Sequence, residues 1–383
     1  MKIAVINGSP KGKYSITLQT LLYLQRKYPE HEFAVLHAGQ KIKALEKDFS
    51  EARALLSSSD AVLFSYPVYT FLCPSQLHRF IELLKESGVD LSGKGAAQIT
   101  TSKHFYDTTA HAYIRENCAD LGLSWLGTLS ADMDDLTKPE GQKEARDFWD
   151  LVLWRAEEGI AEPVFLPEKR PVPAYTRIYD LFDDMPKMDG KNVTIVADLR
   201  EGDDSLAAMI EDFRARFPYE SRLVNIAEYP FSGGCLGCFG CAADGKCIYR
   251  DGFDTFLREE IQSADAIVYA FTIRDHSMGA RMKMYDDRQF CNGHRTVTMG
   301  SPTAYLIHGD LAAEANLRTV IEGRADVGRN FLAGIATDSG NLGTVADSLV
   351  YALENRVSLP QTTLRKPELK ETRVPQCSSQ HCL

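Results

Sequence analysis

Residues 3–17 read IAVINGSPKGKYSIT and determine the local fold at the start of the chain. The β-branched run at 3–6 stops at Asn7-Gly8-Ser9-Pro10, and the segment that follows has Leu18, Leu21 and Leu22 on one face. A short apolar run, a turn and an amphipathic segment predict a strand, a loop and a helix in that order.

The same alternation continues along the chain. Apolar runs at 61–64 and 96–100 predict further strands, and a helix carrying Leu45, Phe49, Ala52 and Leu56 is predicted before the first of these. Beyond residue 190 the pattern restarts, with a strand at 193–197 and a helix at 206–213. Strands that alternate with helices indicate a parallel sheet covered on both faces.

Length and composition agree with two globular α/β domains. The chain has 383 residues, 44% of them hydrophobic and 25% charged, which exceeds what one hydrophobic core usually organises. A formal net charge of −10 argues against a nucleic-acid partner. No stretch is apolar for long enough to span a bilayer, and the first residues do not resemble a signal peptide. We therefore expect a cytoplasmic protein that is not a membrane protein.

An internal repeat indicates that one domain was duplicated. Residues 116–132, ENCADLGLSWLGTLSAD, resemble residues 322–338, EGRADVGRNFLAGIATD, and Asp60-Ala61-Val62 matches Asp265-Ala266-Ile267. The stretch between the halves is rich in proline, which ends helices and central strands. The predicted organisation is a first domain at 1–160, a Pro-rich linker at 161–190, a second domain at 191–359 and a polar tail at 360–383.

The loop after the first strand has the features of a phosphate site. Residues 8–17, GSPKGKYSIT, offer hydroxyls and backbone N–H groups at a helix N-terminus, where the helix dipole favours an anion. An ordinary loop with a serine N-cap is the alternative interpretation. The loop matches neither the Walker A pattern nor GxGxxG, which argues against ATP and dinucleotides as its main ligands.

The loop after the third strand offers flat apolar surfaces. Residues 65–71 read SYPVYTF, and Tyr66, Tyr69 and Phe71 would suit a planar ring, or would simply pack at the rim. Ligands of a doubly wound sheet bind beyond the carboxyl ends of its strands. We therefore expect this loop, the phosphate loop and the loop after the fourth strand to converge.

Four cysteines lie close together in the second half. Cys235, Cys238, Cys241 and Cys247 form a C-x2-C-x2-C-x5-C pattern, and five glycines lie in the stretch from Gly233 to Gly245. Nine cysteines in a reducing compartment are not expected to form a disulfide framework, and four thiolates are the number that a 4Fe-4S cluster takes. Structural zinc and free or redox-active thiols are the alternatives.

GSPxxxxSxT after the first strand, together with SYPVY after the third, resembles the NAD(P)H-dependent FMN reductase and flavodoxin-like quinone reductase superfamily. The cysteine motif resembles that of the iron–sulfur flavoprotein branch. The resemblance implies two tandem flavodoxin-like, doubly wound parallel-sheet domains that form a pseudo-dimer, with FMN in the first. Ile16 stands where the family usually has Asn. The residues that would surround FMN by this resemblance are Ser9, Lys11, Ser15, Ile16, Thr17, Pro67, Val68, Tyr69, Thr70, Phe71, Thr101 and Ser102.

The second half lacks the flavin motifs. Its first loop, residues 198–204, reads DLREGDD, and these carboxylates would repel a phosphate. Thr272-Ile273-Arg274 stands where the first half has Pro67-Val68-Tyr69. The halves are therefore expected to be specialised, with FMN in one and the cysteine cluster in the other.

The predicted function is an FMN-dependent oxidoreductase that takes electrons from NAD(P)H or a protein donor and passes them, through a 4Fe-4S cluster, to a small-molecule or protein acceptor. A cluster-free quinone, azo or nitro reductase and a non-enzymatic redox-sensing module are the alternatives. No residue is an obvious acid–base catalyst. Lys103, His104 and Tyr106 are candidates to orient a substrate, with exposed loop residues as the alternative interpretation, and Arg274 and His276 are candidates to contact a nicotinamide phosphate or an acceptor. Homo-oligomerisation and the role of the tail residues Cys377 and Cys382 stay open.

Overall fold

The computed structural model describes residues 1–104, 106–178, 187–292 and 297–357. The first domain alternates strands and helices. Its strands are β1 (Lys2–Asn7), β2 (Glu32–Leu36), β3 (Ala61–Pro67), β4 (Gly95–Thr101) and β5 (Ser124–Ala131). Its helices are α1 (Ile16–Lys27), α2 (Ala38–Leu45), α3 (Ser50–Ser57), α4 (Ser75–Ser87), α5 (Asp107–Asp120) and α6 (Pro139–Glu158).

The second domain repeats this alternation. Its strands are β6 (Met188–Asp198), β7 (Tyr219–Asn225), β8 (Ala266–Thr272), β9 (Thr303–His308) and β10 (Leu332–Ala336). Its helices are α7 (Asp204–Arg216), α8 (Phe253–Phe256), α9 (Gly279–Arg288), α10 (Ala315–Val327) and α11 (Ser339–Asn355). A π-helical turn, Leu257–Ile261, continues α8.

Each domain contains one parallel sheet with the same strand order. The sheets run β2-β1-β3-β4-β5 and β10-β9-β8-β6-β7, and all the strand pairs are parallel. Counted within each domain, both orders are 2-1-3-4-5, the flavodoxin-like doubly wound order. The predicted fold of two tandem flavodoxin-like domains is confirmed. In this order, the carboxyl ends of the first and third strands flank the point where ligands bind.

The helix predicted across Leu45, Phe49, Ala52 and Leu56 is wrong as a single helix. The structure has α2 and α3 instead, with Phe49 immediately before α3. The Asp48 carboxylate accepts the N–H of Ser50 at 2.9 Å, a local bond that competes with a continuous helix. The apolar residues keep a helical spacing across the break, which is why periodicity alone did not reveal it.

Between the domains, residues 161–178 form neither helix nor strand, and β6 begins at Met188. The predicted tail, with Cys377 and Cys382, lies outside the described residues. In the described part of the chain, none of the helices combines the length and the apolar character needed to cross a membrane.

The two domains pack through equivalent helices, α4 against α9 and α5 against α10. The N–H of Ser75, at the start of α4, donates to the Asp287 carboxylate in α9 at 2.8 Å. Reciprocally, the N–H of Ala280 in α9 donates to Glu82 in α4 at 2.8 Å. Ala280 corresponds to Ser75, and Asp287 to Glu82, because both pairs have the same sequence separation. The interface is therefore that of a pseudo-dimer with an internal twofold relation.

A buried histidine joins the domains at a second place. The His276 side chain is 2% exposed and lies between Glu314, at 2.9 Å from Nδ1, and Asp120 of the first domain, at 3.0 Å from Nε2. Burial opposes its charge, but the hydrogen bonds to Asp120 and Glu314 prevail and raise the pKa of His276 to about 9. Burial also raises the pKa of the nearby Glu116 carboxyl to about 7. Both shifts favour the protonated form in the folded protein.

We expect this contact to weaken as pH rises. A folded-state pKa of about 9 against the ordinary 6.5 means that the stabilisation by His276 is complete below pH 6.5 and is lost as pH approaches 9. The free energy of unfolding in urea should therefore fall across this window by on the order of 1 to 3 kcal/mol. His276→Gln should lower the value at pH 6 and flatten the slope. An equal slope in the wild-type protein and the variant would contradict this assignment.

Candidate functional site

The loop between β1 and α1 contains buried hydroxyls that lack partners. Ser15 immediately precedes α1, yet its side chain makes no capping hydrogen bond. Among the described residues, the Ser15 and Thr17 hydroxyls are buried without a hydrogen-bond partner. The N–H groups at the start of α1 also have no side-chain cap and carry the positive end of the helix dipole. This loop therefore offers a set of donors to an anion.

The loop after β3 makes a tight, strained turn. The N–H of Tyr69 donates to the carbonyl of Leu72 at 2.7 Å, and the reverse bond measures 3.1 Å. Between them, Thr70 and Phe71 have φ values of 48° and 70°, a region that non-glycine residues rarely occupy. The Thr70 hydroxyl is also buried and, within the described chain, has no hydrogen-bond partner. Strain of this kind persists only where the surrounding structure enforces it, and it is concentrated at functional sites.

Parallel strand order brings these loops together. The N–H of Gly8 donates to the carbonyl of Ser65 at 2.9 Å, and the N–H of Val68 donates to the carbonyl of Thr101 at 3.1 Å. The ends of β1, β3 and β4 are thereby in direct contact. The expected convergence of the three loops is present.

The cysteine loop lies between β7 and α8, and its two ends are tied together by Arg288 of α9. The buried guanidinium donates to the carbonyl of Gly233 at 2.8 Å and to both carboxylate oxygens of Asp251 at 2.8 and 2.9 Å. Asp251 also accepts the N–H of Ser232 at 2.8 Å. One tie precedes Cys235 and the other follows Cys247, so the thiols lie within a closed loop.

A single cavity of about 750 Å³ connects all of these segments. The phosphate loop, the loop after β3 and the start of the loop after β4 line one part of it. The rest is lined by the second domain, including all four cysteines of the motif, Cys235, Cys238, Cys241 and Cys247. The cavity therefore lies between the domains and is completed by both of them.

The cysteine loop lies directly against the loop after β3 and beside the phosphate loop. A Cβ placed on Gly237 would lie 2.1 Å from the Tyr69 hydroxyl, so only glycine, here at φ 60°, allows this approach. The Gln76 amide donates to the carbonyl of Cys235 at 3.1 Å, and the Lys11 ammonium lies 5.9 Å from the centre of the Phe239 ring. A ligand beside Tyr69 would consequently lie next to the cysteine loop.

The thiols are partly shielded from water. Burial raises the pKa of Cys235 to about 12, and it also raises the pKa of Cys291, which lines the same cavity, to about 12. The N–H of Gly237 donates to the Cys235 sulfur at 3.4 Å, an interaction that favours a thiolate. A bound metal would supply the remaining stabilisation, since metal binding displaces the thiol proton.

The sequence comparison bears on the first domain. Residues 1–125 match the family model described as NADPH-dependent FMN reductase. By this match, residues 1–125 form an FMN-reductase domain that is similar to the NADPH-dependent FMN reductases. The predicted resemblance is thus confirmed for this FMN-reductase domain, and the match supports FMN binding and an oxidoreductase activity.

Individual relatives also cover less than half of the chain. An iron–sulfur flavoprotein of Archaeoglobus fulgidus is 35% identical over 66 residues, which are 17% of this chain and 30% of that protein. The general stress protein 14 of Treponema denticola, solved in complex with FMN, is 14% identical with a TM-score of 0.34 and covers 40% of this chain and 99% of its own. An FMN-dependent NADH-azoreductase of Bacillus anthracis is 14% identical with a TM-score of 0.31, covering 41% and 98%. The flavodoxin-like assignment rests on strand order and on the family match.

Most of the residues predicted around FMN line the cavity between the domains. They are Ser9, Lys11, Ser15, Ile16, Pro67, Val68, Tyr69, Thr70, Phe71, Thr101 and Ser102. Thr17 lies behind them, in the first turn of α1. Their contact with FMN itself stays a prediction. Lys103 also lines the cavity, whereas His104 contacts Asp107 at 3.2 Å and Tyr106 packs on Phe71 with ring centres 4.3 Å apart.

Several lining residues were missed from the sequence. Arg288 is the last residue of α9, and Phe290 and Cys291 follow it, far along the chain from the cysteine motif; Tyr249 lies two residues after Cys247. No motif marks the first three, because they enter the cavity only when the two domains pack together. Tyr249 had a weak signal, since aromatic residues next to a ligand loop often contact the ligand.

The corresponding region of the second domain is filled by ion pairs. Arg200 contacts the Asp198 carboxylate at 2.8 Å, and Arg274 contacts Asp203 at 2.8 Å. The suggestion that Arg274 and His276 contact a nicotinamide is not supported, because Arg274 is held by Asp203 and His276 is buried between two carboxylates. Of the predicted carboxylates, Asp198 and Asp203 are neutralised internally.

We expect one FMN per chain, bound by the FMN-reductase domain. Ser15→Ala should weaken FMN binding about tenfold or more, since Ser15 lines the cavity and a hydrogen bond to a charged group contributes about 1.5–3 kcal/mol. Ser205→Ala is the control, because Ser205 lies at the start of α7, the helix of the second domain that corresponds to α1. Titration followed by the loss of free FMN fluorescence measures both variants. Two FMN per chain, or equal losses in the two variants, would contradict the assignment.

Proposed function

We propose that the protein is an FMN-dependent oxidoreductase in which the cysteine loop holds a 4Fe-4S cluster beside the flavin. Electrons would come from NAD(P)H or a protein donor and pass to a small-molecule or protein acceptor. The observation that carries this proposal is the shared cavity, which the phosphate loop, the loop after β3 and all four cysteines line together.

Residues of the first domain suit both ends of FMN, the phosphate and the planar ring. The buried, unpartnered hydroxyls of Ser15 and Thr17 and the uncapped start of α1 suit the phosphate, and Lys11 adds positive charge. Tyr69, Phe71 and the Thr70 hydroxyl line the place where the planar ring would lie. Ile16, the first residue of α1, also lines the cavity and is apolar where the family usually has Asn.

The cysteine set suits a cluster better than a single zinc ion. In the described residues, no three cysteine sulfurs lie within 4.8 Å of one another. A zinc ion with sulfur ligands at about 2.3 Å would require sulfurs about 3.8 Å apart. A cubane cluster has four irons, each bound by one thiolate, so its four cysteine sulfurs lie farther apart than the ligands of a single zinc ion. The compact spacing of the motif and its four sulfurs support the same choice.

FMN exchanges one or two electrons and an iron–sulfur cluster exchanges one, so together they would connect a hydride donor to a one-electron acceptor. The protein's own contribution is position and shielding. Tyr69 and Gly237 bring the two loops into contact, and the buried Arg288 closes the cysteine loop. The mouth of the cavity carries the exposed side chains of Tyr14, Phe239 and Ile248, which give a donor or acceptor an apolar surface to approach.

The experiment is an anaerobic absorption spectrum of the purified protein with elemental analysis for iron and zinc. We expect flavin bands over a broad iron–sulfur shoulder and about four irons per chain. Cys238→Ser should lose most of the iron and most of the reduction of one-electron acceptors while retaining FMN. Cys118→Ala is the control, because Cys118 is buried in α5 and does not line the cavity.

Two results would contradict the proposal in different ways. Zinc in place of iron, or full acceptor reduction by Cys238→Ser, would leave a cluster-free NAD(P)H-dependent reductase with structural cysteines. Failure of the wild-type protein to retain FMN at micromolar concentration would favour a non-enzymatic module.

A further inference from the structure

Helix α9 of the second domain carries a buried lysine that contacts the loop after β3 in the first domain. The Lys283 side chain is 0% exposed, and its ammonium donates to the carbonyl of Tyr69 at 2.9 Å. The ammonium also pairs with the Asp287 carboxylate and lies 3.5 Å from Asp286. A charge from one domain therefore binds the backbone of the other at the turn that lines the cavity.

The ion pair between Lys283 and Asp287 also holds the start of α4, which follows this turn. The Asp287 carboxylate accepts the N–H of Ser75 at 2.8 Å, so Lys283 and Asp287 together fix the chain at residues 69 and 75. Between these points lie Thr70 and Phe71, whose positive φ values must be held by the surroundings. The pair thus constrains the part of the loop that faces the proposed flavin.

Burying two charges costs several kcal/mol per ion, and an apolar pair would often serve packing as well. The twofold-related position makes the same contact between a carboxylate and a helix start without a lysine. Asp287 has its counterpart in Glu82, which accepts the N–H of Ala280 at 2.8 Å. The counterpart of Lys283 is His78, a buried side chain that stacks on Tyr113 with ring centres 4.1 Å apart. Within the described chain neither of its ring nitrogens has a hydrogen-bond partner.

The asymmetry points to function. A carboxylate that accepts an N–H at the start of the neighbouring helix is present in both domains, as Glu82 and as Asp287. The lysine is present only in the second domain, where it contacts the loop after β3 of the FMN-reductase domain. We propose that Lys283 is a positioning residue that the second domain contributes to the flavin site, acting through the carbonyl of Tyr69. This inference rests on the proposed function, since it assumes that FMN binds beside Tyr69.

The test is the double variant Lys283→Met with Asp287→Asn. It leaves the net charge unchanged, creates no unpaired buried charge, and keeps a side-chain oxygen for the N–H of Ser75. The donor to Tyr69 is lost together with the 3.5 Å contact of Lys283 with Asp286, and Asp286 keeps its ion pair with Arg324. FMN should dissociate at least tenfold more readily, as measured by the fluorescence of free FMN. The visible circular dichroism of the flavin that remains bound should change, because the turn beside its ring is no longer fixed.

His78→Met is the matched control, since it changes the twofold-related position without touching the loop. We expect its FMN dissociation constant and visible circular dichroism to equal those of the wild-type protein. Urea unfolding of the FMN-free proteins provides the second comparison. The double variant and the wild-type protein should unfold at similar urea concentrations, because a charge-neutral pair replaces an ion pair.

The outcomes separate the hypotheses. Wild-type dissociation constant and circular dichroism in the double variant would overturn the role of Lys283 while leaving the proposed function intact. A variant that unfolds at lower urea concentration, with unchanged circular dichroism of its bound flavin, would show that Lys283 is merely structural and would also overturn the inference. A wild-type protein that binds no FMN would instead overturn the proposed function.

Discussion

The packing of α4 against α9 is the constraint on which the rest of the structure depends. Each helix begins with an N–H group that a carboxylate of the other accepts, Ser75 to Asp287 and Ala280 to Glu82, both at 2.8 Å. Such charge-assisted bonds to helix N-termini are directional and fix how two helices align. Because both helices follow the third strand of their sheets, this alignment brings the strand ends of one domain toward the loops of the other. The cavity exists only in that arrangement.

Duplication explains why one half could lose a ligand site without losing its fold. The first loop of the second domain retains its place between strand and helix, but its acidic residues are matched by arginines, as Asp198 is by Arg200 and Asp203 by Arg274. These pairs satisfy charges that would otherwise repel one another, so the loop is stable without an anion. The second domain instead supplies the cysteine loop and the end of α9 to a cavity that both domains line.

The sequence predicted the elements whose signals are local. Apolar runs such as Ile3–Ile6 and Ala61–Phe64 marked central strands because both faces of a parallel sheet are covered. The phosphate loop and the cysteine motif were found from residue type and spacing. The break at Asp48 was missed because helical periodicity continues through it. Lys283 and Arg288 were missed because an amphipathic helix has the same pattern whatever its buried charges contact, and their partners lie in another domain and in a distant loop.

One helix therefore ties both loops of the site. Lys283 holds Tyr69 and Arg288 holds Gly233 and Asp251, five residues further along α9. A rise of about 1.5 Å per residue separates the two anchor points by about 7.5 Å along the helix axis. A helix packed on both sides deforms far less than a surface loop, so the spacing between the loops is set by α9 and not by the loops themselves. The glycines that let the cysteine loop approach Tyr69 add no rigidity. That rigidity comes from α9, whose buried charges hold the strained turn in the first domain and the two ends of the cysteine loop in the second.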